Sequence, residues 1–307
     1  AGATQAQTDF AVLNRIVGIP IPVEFNGTVE GRIGSDFEGN PGVRGGTILF
    51  SNPNGIIVGS TGSFDVGTLV LTTLSVETND ETGYGPYFDP NDLGFTLGAG
   101  DPNAAVVTRA GSSIVADAGS SYVAMVAPVV THRGTVRVDG SAAYVAAEDV
   151  QLTFNNGLFD IQVDVGTDNA NPLTHTGTTG GPAQTGGLDN HRIYMVAVPK
   201  NTAITALLSG NVGFDAASDV SVENGQIILS AGYDVQSDSV DPDTDSPAAP
   251  AANFRITSGN VTSNLRGWAT GDMFAGGGDL AFSGDVRLNG EQRARLFAAA
   301  GREVTVG

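Results

Sequence analysis

The side chains that could run acid–base chemistry are plentiful but not grouped for it. Asp and Glu total 33. A glycosidase needs two carboxylates at a working separation, and a lyase needs a cation or metal-bridging aspartates beside its substrate. The chain has no adjacent Asp-Asp pair, and its one lysine, Lys200, lies in the turn-like Val198-Pro199-Lys200-Asn201 and reads as solvated. His132, His175 and His191 lack the His-Glu-x-x-His spacing of a zinc site and read as turn or strand-edge hydrogen-bonding groups. No serine sits in a Gly-x-Ser-x-Gly elbow, and Gly276-Gly277-Gly278 lacks the Lys-Ser/Thr of a phosphate loop. Two groups point to binding instead. Asp238, Asp241, Asp243 and Asp245 in the acidic 234–245 stretch are weak calcium candidates, since a hard cation takes several oxygens, but the stretch matches neither the EF-hand nor the Gly-Gly-x-Gly-x-Asp pattern and reads first as a plain acidic, flexible loop. Tyr84, Tyr87 and Phe88 are glycan-contact candidates, because exposed rings grip sugar faces; the competing reading is that they lid the fold. No catalytic residue and no cofactor other than calcium is expected.

The element the chain declares most plainly is a corner. In Ser51-Asn52-Pro53-Asn54-Gly55-Ile56-Ile57-Val58-Gly59, Pro53 fixes φ and removes a donor, and Asn54-Gly55 accepts the positive φ that most residues refuse. Short β-prone runs flank it at 47–50, 56–58 and 63–73. An Asn-Gly pair between such runs ordinarily makes an antiparallel hairpin, but a downstream repeat points to a coil. Ser113-Ile114-Val115-Ala116-Asp117 matches Thr135-Val136-Arg137-Val138-Asp139, and Tyr122-Val123-Ala124 matches Tyr144-Val145-Ala146. Both pairs are offset by 22 residues (136 − 114 and 144 − 122). That is a solenoid-like repeat. Parallel strands in successive windings lie ~4.8 Å apart, so the spacing stacks Ile114 on Val136 and Tyr122 on Tyr144.

Four pieces, in order and spacing, carry a resemblance: Leu13-Asn14-Arg15-Ile16, Gly27-Thr28-Val29, the 48–59 stretch with Asn52-Pro53-Asn54-Gly55, and 64–73. They resemble the N-terminal domain of filamentous-haemagglutinin-type exoproteins of two-partner secretion. The remainder is more loosely similar to the large β-strand-repeat surface proteins of that class. The resemblance implies a right-handed parallel β-helix and export through a dedicated outer-membrane transporter. It also implies a secretion and turn motif at Asn14, Arg15, Asn52, Pro53, Asn54 and Gly55, whose turn helps nucleate the first windings. The family's second motif, Asn-Pro-Asn-Leu, has only a loose echo in Asp89-Pro90-Asn91-Asp92-Leu93, and ahead of Asn14 stands only a short Ala/Gly/Thr/Gln-rich lead.

The fold expected is therefore all-β, a right-handed parallel β-helix (solenoid) with loop insertions. Residues 1–76 read as secretion-domain-like coils, 77–103 as an acidic loop insertion and its return, and 104–307 as continuing coils with loops at about 168–190 and 237–252. Forty-three glycines and a charged fraction of 15% suit short strands joined by tight turns. A net charge of −19 argues against nucleic acid and anionic lipid as partners. No apolar run is long enough for a membrane helix, so no membrane insertion is expected, and the absence of a charged-then-apolar leader reads as a mature exported chain. Zero cysteines fit passage through an oxidising periplasm. The function expected is a secreted adhesin or structural exoprotein of the bacterial cell surface, without catalysis. Its partners would be a two-partner-secretion outer-membrane transporter and a surface glycan or protein, or a second copy of itself. Two alternatives stay open: a self-assembling subunit of an extracellular filament or surface layer, and a secreted β-helix polysaccharide lyase or hydrolase.

Overall fold

The computed structural model describes residues 10–18, 20–34, 42–76, 94–98, 100–155, 158–183, 191–216, 225–236, 239–241, 250–257, 261, 263–269, 278–283 and 296–307. All regular structure among them is β, and the chain winds as a parallel β-helix. The first face is built from Ala11–Arg15, Thr47–Ser51, Thr68–Thr72, Ser113–Ala127, Thr135–Ala146, Arg192–Ala197, Gln226–Ala231, Asn264–Ala269 and Leu296–Ala300, each parallel to the next. The second face follows the same order in Val23–Phe25, Ile56–Val58, Ala105–Thr108, Val129–His132, Leu173–His175, Ile204–Leu208, Ala252–Ile256, Asp279–Phe282 and Glu303–Val306. A shorter third face joins Thr28–Glu30, Ser63–Asp65, the opening halves of Ser113–Ala127 and Thr135–Ala146, Thr178–Gly180 and Asn211–Val212.

Each winding buries alternate side chains against its neighbours. On the first face Phe50, Leu71, Met125, Tyr144, Met195 and Leu229 follow one another in register inside the coil. The strands before and after Asn52-Pro53-Asn54-Gly55 lie on different faces, so this Asn-Gly turns a coil corner and not a hairpin. Proline marks this corner repeatedly: Pro22, Pro53, Pro102, Pro128, Pro172, Pro199 and Pro250 each lie in a crossing from the first face to the second. A residue without an N–H belongs where the hydrogen-bonded ladder stops.

The 22-residue register holds for Ile114, which lies opposite Val136, but fails for the tyrosines. Between Ala116 and Ser121 one strand carries residues 117–120 where its neighbour, between Val138 and Gly140, carries only Asp139. The offset falls to 19 (142 − 123), so Tyr122 meets Ser141 and Tyr144 meets Met125. A slip by an odd number of residues reverses the face a side chain occupies. Tyr144 therefore lies inside the coil, and Tyr122 points outward. The Ser121 hydroxyl spans the irregularity, donating to the Ala116 carbonyl and accepting from the Asp139 N–H.

That outward side of the first face is itself a core. Leu49, Val70, Ala124, Ala143, Tyr194 and Ile228 form an apolar column on it. A separate antiparallel sheet covers it, made of Ser75–Val76, Gly94–Gly98, Asp149–Asn155, Leu158–Val165, Asp234–Gln236 and Ser239–Asp241. Tyr122 packs edge-on to Phe154 and Phe159 at 4.6 and 5.2 Å between ring centroids, and Phe159 lies 5.7 Å from Tyr194. Residues 149–165, expected to continue the coil, thus belong to this cover. Within 168–190, expected to project as a loop, Leu173–His175 and Thr178–Gly180 are coil strands. A small hairpin of Arg32–Ile33 and Val43–Arg44 rides beside the third face. It is tied there by Arg32 to Asp65 and by Arg44 to Asp65 and Asp117. Burial alone would raise the Asp65 carboxyl, but hydrogen bonds from the two guanidinium groups hold it below its ordinary value.

Candidate functional site: the stacked Asx-Pro-Asn corner

Asn52 is fully buried and organises its corner through both ends of its amide. Its Oδ1 accepts the Asn54 N–H at 3.1 Å, and its Nδ2 donates to the Gly55 carbonyl at 2.9 Å. The Gly55 N–H closes the turn on the Asn52 carbonyl at 3.1 Å. Gly55 has φ +114°, and a Cβ there would stand 3.3 Å from both the Ala105 carbonyl and Pro22. Glycine is therefore favoured by conformation, in a place where space for a side chain is tight. Pro53 is the exposed apex. The Asn52 Nδ2 also reaches the Ile21 carbonyl at 3.4 Å, and the Gly55 carbonyl accepts from Val23, so the turn fastens the preceding winding.

Asn14 and Arg15 contribute one winding earlier. Asn14 donates to the Leu49 carbonyl at 3.4 Å, and Arg15 Nη2 donates to the Val76 carbonyl at 2.7 Å. The first links the two opening strands, and the second ties the coil to the start of the outer sheet. The six expected motif residues thus lie along the opening windings. Four of them form one turn, and the other two secure the strand beneath it.

The next winding repeats the device at Asp101-Pro102-Asn103-Ala104. Asp101 Oδ1 accepts the Asn103 N–H at 2.9 Å, and the Ala104 N–H closes on the Asp101 carbonyl at 2.9 Å. Thr167 plays the part further along: its hydroxyl accepts the Asn169 N–H at 3.2 Å, and Asn169 Nδ2 donates to the Pro102 carbonyl at 2.8 Å. Asp101-Pro102-Asn103 is a further motif position beyond those expected from the sequence, and the expected echo, Asp89-Pro90-Asn91, lies outside the described residues. The signal was present, since Asx-Pro-Asn precedes the β-prone 105–108 just as it precedes 56–58.

The histidines are interior groups and not turn or strand-edge ones. Thr108, His132 and His175 occupy successive levels of one second-face column and are buried. The Thr108 hydroxyl lies 2.7 Å from His132 Nδ1, His132 Nε2 is 3.2 Å from the Thr178 carbonyl, and His175 Nε2 is 2.8 Å from the Thr179 hydroxyl, which also meets Tyr144 OH. A neutral His132 donating from Nε2 satisfies both its contacts. Burial pushes His132 down to about 4 and His175 well below its ordinary value. His191, buried and beside Arg192, is likewise pushed to about 4.

Lys200, expected to be solvated, is exposed, and it also donates to Glu148 at 2.7 Å. Among the described residues no group of three or more His, Asp or Glu is placed to hold a metal ion. Asp238, Asp243 and Asp245 lie outside the described residues, as do Tyr84, Tyr87 and Phe88; Asp241 ends the outer-sheet strand Ser239–Asp241.

No curated protein matches the chain. A solved structure of the filamentous haemagglutinin secretion domain aligns with 17% identity over 97% of this chain and 75% of that one, at a TM-score of 0.42. A family model described as the TPS secretion domain matches residues 27–246, which contain the Asn52, Asp101 and Thr167 corners. The chain belongs to that family, and it is part of a two-partner-secretion exoprotein, exported with a dedicated outer-membrane transporter.

Proposed function

We propose that this chain is the export-recognition and fold-nucleating part of an adhesive or structural exoprotein displayed at the cell surface, and that it performs no chemistry itself. The observation that carries the reading is the stack of Asx-Pro-Asn corners inside the region the family model matches. Such a turn closes within four residues, so it forms before any contact between distant windings. Once formed it presents one strand edge to each side, and parallel windings add at little further loop cost. Zero cysteines leave the chain free of crosslinks during export. Asp65 and Asp117 are occupied by Arg32 and Arg44, which favours a structural over a catalytic use of these carboxylates.

Co-expression with the transporter tests the export half. Asn52→Ala with Asn54→Ala should lower the amount of chain released to the medium, while the purified variant still shows a β-rich circular dichroism spectrum. Undiminished release would remove the role given to the corner. For the surface half, purified chain should coat cells or matrix in a saturable manner. Release of reducing ends or unsaturated uronate from a polysaccharide panel would overturn the assignment of no chemistry.

A further inference from the structure

We propose that the third face carries a binding groove for a neutral oligosaccharide, lying along the coil axis over Thr135, Thr178 and Asn211 and ending at Arg137. The proposal rests on the adhesive half of the reading above and gives it a ligand class.

Register along the third face places Thr28, Ser63, Ser113, Thr135, Thr178 and Asn211 in one column, one per winding. Their neighbours Phe64, Ile114, Val136, Thr179 and Val212 are buried, so the column faces outward. Thr135, Thr178 and Asn211 are exposed, and the hydroxyls of Thr135 and Thr178 make no hydrogen bond among the described residues. A polar group recurs every ~4.8 Å, a step close to the length of one pyranose in an extended chain.

The adjacent column decides where a ligand fits. Over the early windings it is Glu30 and Asp65, with Arg32 and Arg44 of the hairpin lying across it. Beyond Arg137 it becomes Gly180, followed by Gly213 beside the next strand. A Cβ on Gly180 would come within 2.4 Å of the Gly213 carbonyl, and one on Gly181 within 1.8 Å of the Val138 carbonyl. Close packing of windings thus excludes side chains here and leaves a bare backbone floor. The result is a groove of about 440 Å³ lined by Thr135, Arg137, Thr178, Gly180, Asn211 and Asp215 among others.

Its chemistry mixes donors and acceptors: two hydroxyls, an amide, a guanidinium and a carboxylate. Arg137 lies 3.7 Å from Asp117 and 3.8 Å from Asp215, too far for direct hydrogen bonds, so its fork of N–H groups is available to paired hydroxyls. Asp117, Asp139 and Asp215 stand near Arg137, with Arg44 also on Asp117, so carboxylates outnumber guanidinium groups here on a chain of net charge −19. Uronates, sialates and phosphates are therefore repelled, and an uncharged polyol is not. Phe214 is only 2% exposed and offers no stacking platform. Binding depends on hydrogen bonds and gains from several ligand copies on a surface.

A dense array of neutral and anionic glycans probed with the purified chain, followed by saturation-transfer NMR on the best neutral oligosaccharide, tests this. Neutral glycans should bind and uronate-bearing ones should not. Thr178→Val and Arg137→Gln, each checked for an unchanged thermal melt, should together weaken binding about tenfold, as loss of one or two net hydrogen bonds implies. Release through the transporter should be unaffected by either change. Binding confined to anionic glycans, or undiminished in the double variant, overturns the groove. Adhesion to cells with no neutral glycan bound overturns it too while leaving the adhesive reading standing; failure of adhesion altogether removes both.

Discussion

Asn52 and Asp101 make the same turn in unequal surroundings. Asn52 is fully buried, and its amide satisfies the Asn54 N–H and two carbonyls, whereas Asp101 is exposed and water can replace its bond to Asn103. Leaving buried partners unpaired costs about 1–3 kcal/mol. Asn52→Ala should therefore lower stability by about that amount, and Asp101→Ala by clearly less, read as a shift in urea midpoint. Equal losses would mean that burial does not set the value of the turn. Single residues also mark the limit of what could be read from the sequence. Asn52-Pro53-Asn54-Gly55 was legible because its chemistry is local. The interior places of His132 and His175 were not, because the groups that satisfy them lie on other strands: Thr108 and Thr178, 24 and 46 residues from His132, and Thr179, four residues from His175 and across a corner.

At the scale of elements, the short strands and their parallel stacking followed from alternation and the 22-residue repeat, and the corner prolines mark the crossings between faces as well. Three extra residues at 117–120 left the hydrophobic pattern on both sides intact, so nothing in the pattern revealed that Tyr122 and Tyr144 had parted to opposite faces. The outer sheet was harder to recognise. Its strands alternate just as coil strands do, and only partners such as Val163 N–H on Asp234 at 2.9 Å distinguish them. Phe159 is the hinge of this layer, in contact with Tyr122, Phe154 and Tyr194. Phe159→Ala should cost about 3–5 kcal/mol. If the cover is a separate layer, near-ultraviolet dichroism of the tyrosines should fall while the far-ultraviolet β signal persists; joint loss of both would show that coil and cover unfold as one.

For the molecule as a whole, three buried neutral histidines make stability depend on acidity. Unfolded imidazoles protonate below about 6.5, whereas folded His132 and His191 resist until about 4 and His175 lies lower than its ordinary value as well. Between those limits the unfolded chain binds more protons, so stability is full above about 6.5 and falls as pH drops, by up to ~1.4 kcal/mol per pH unit for each histidine. Asp139, raised by burial and then by the charge of Asp117, acts in the opposite sense at the acid end. The urea midpoint should decline from pH 7 to 4.5, and His132→Gln should flatten that decline; a level profile in the parent chain would contradict the buried neutral column. Net charge and zero cysteine were legible at this scale because they need no geometry.

The outer sheet carries one more implication. The oily stripe it hides begins at Leu49 and Val70, while the strands that hide it include Leu158–Val165 and Asp234–Gln236, far downstream. A polypeptide delivered to the outside one residue at a time cannot present stripe and lid together. Until those downstream strands arrive, the stripe stands in water and offers an apolar surface to neighbouring copies.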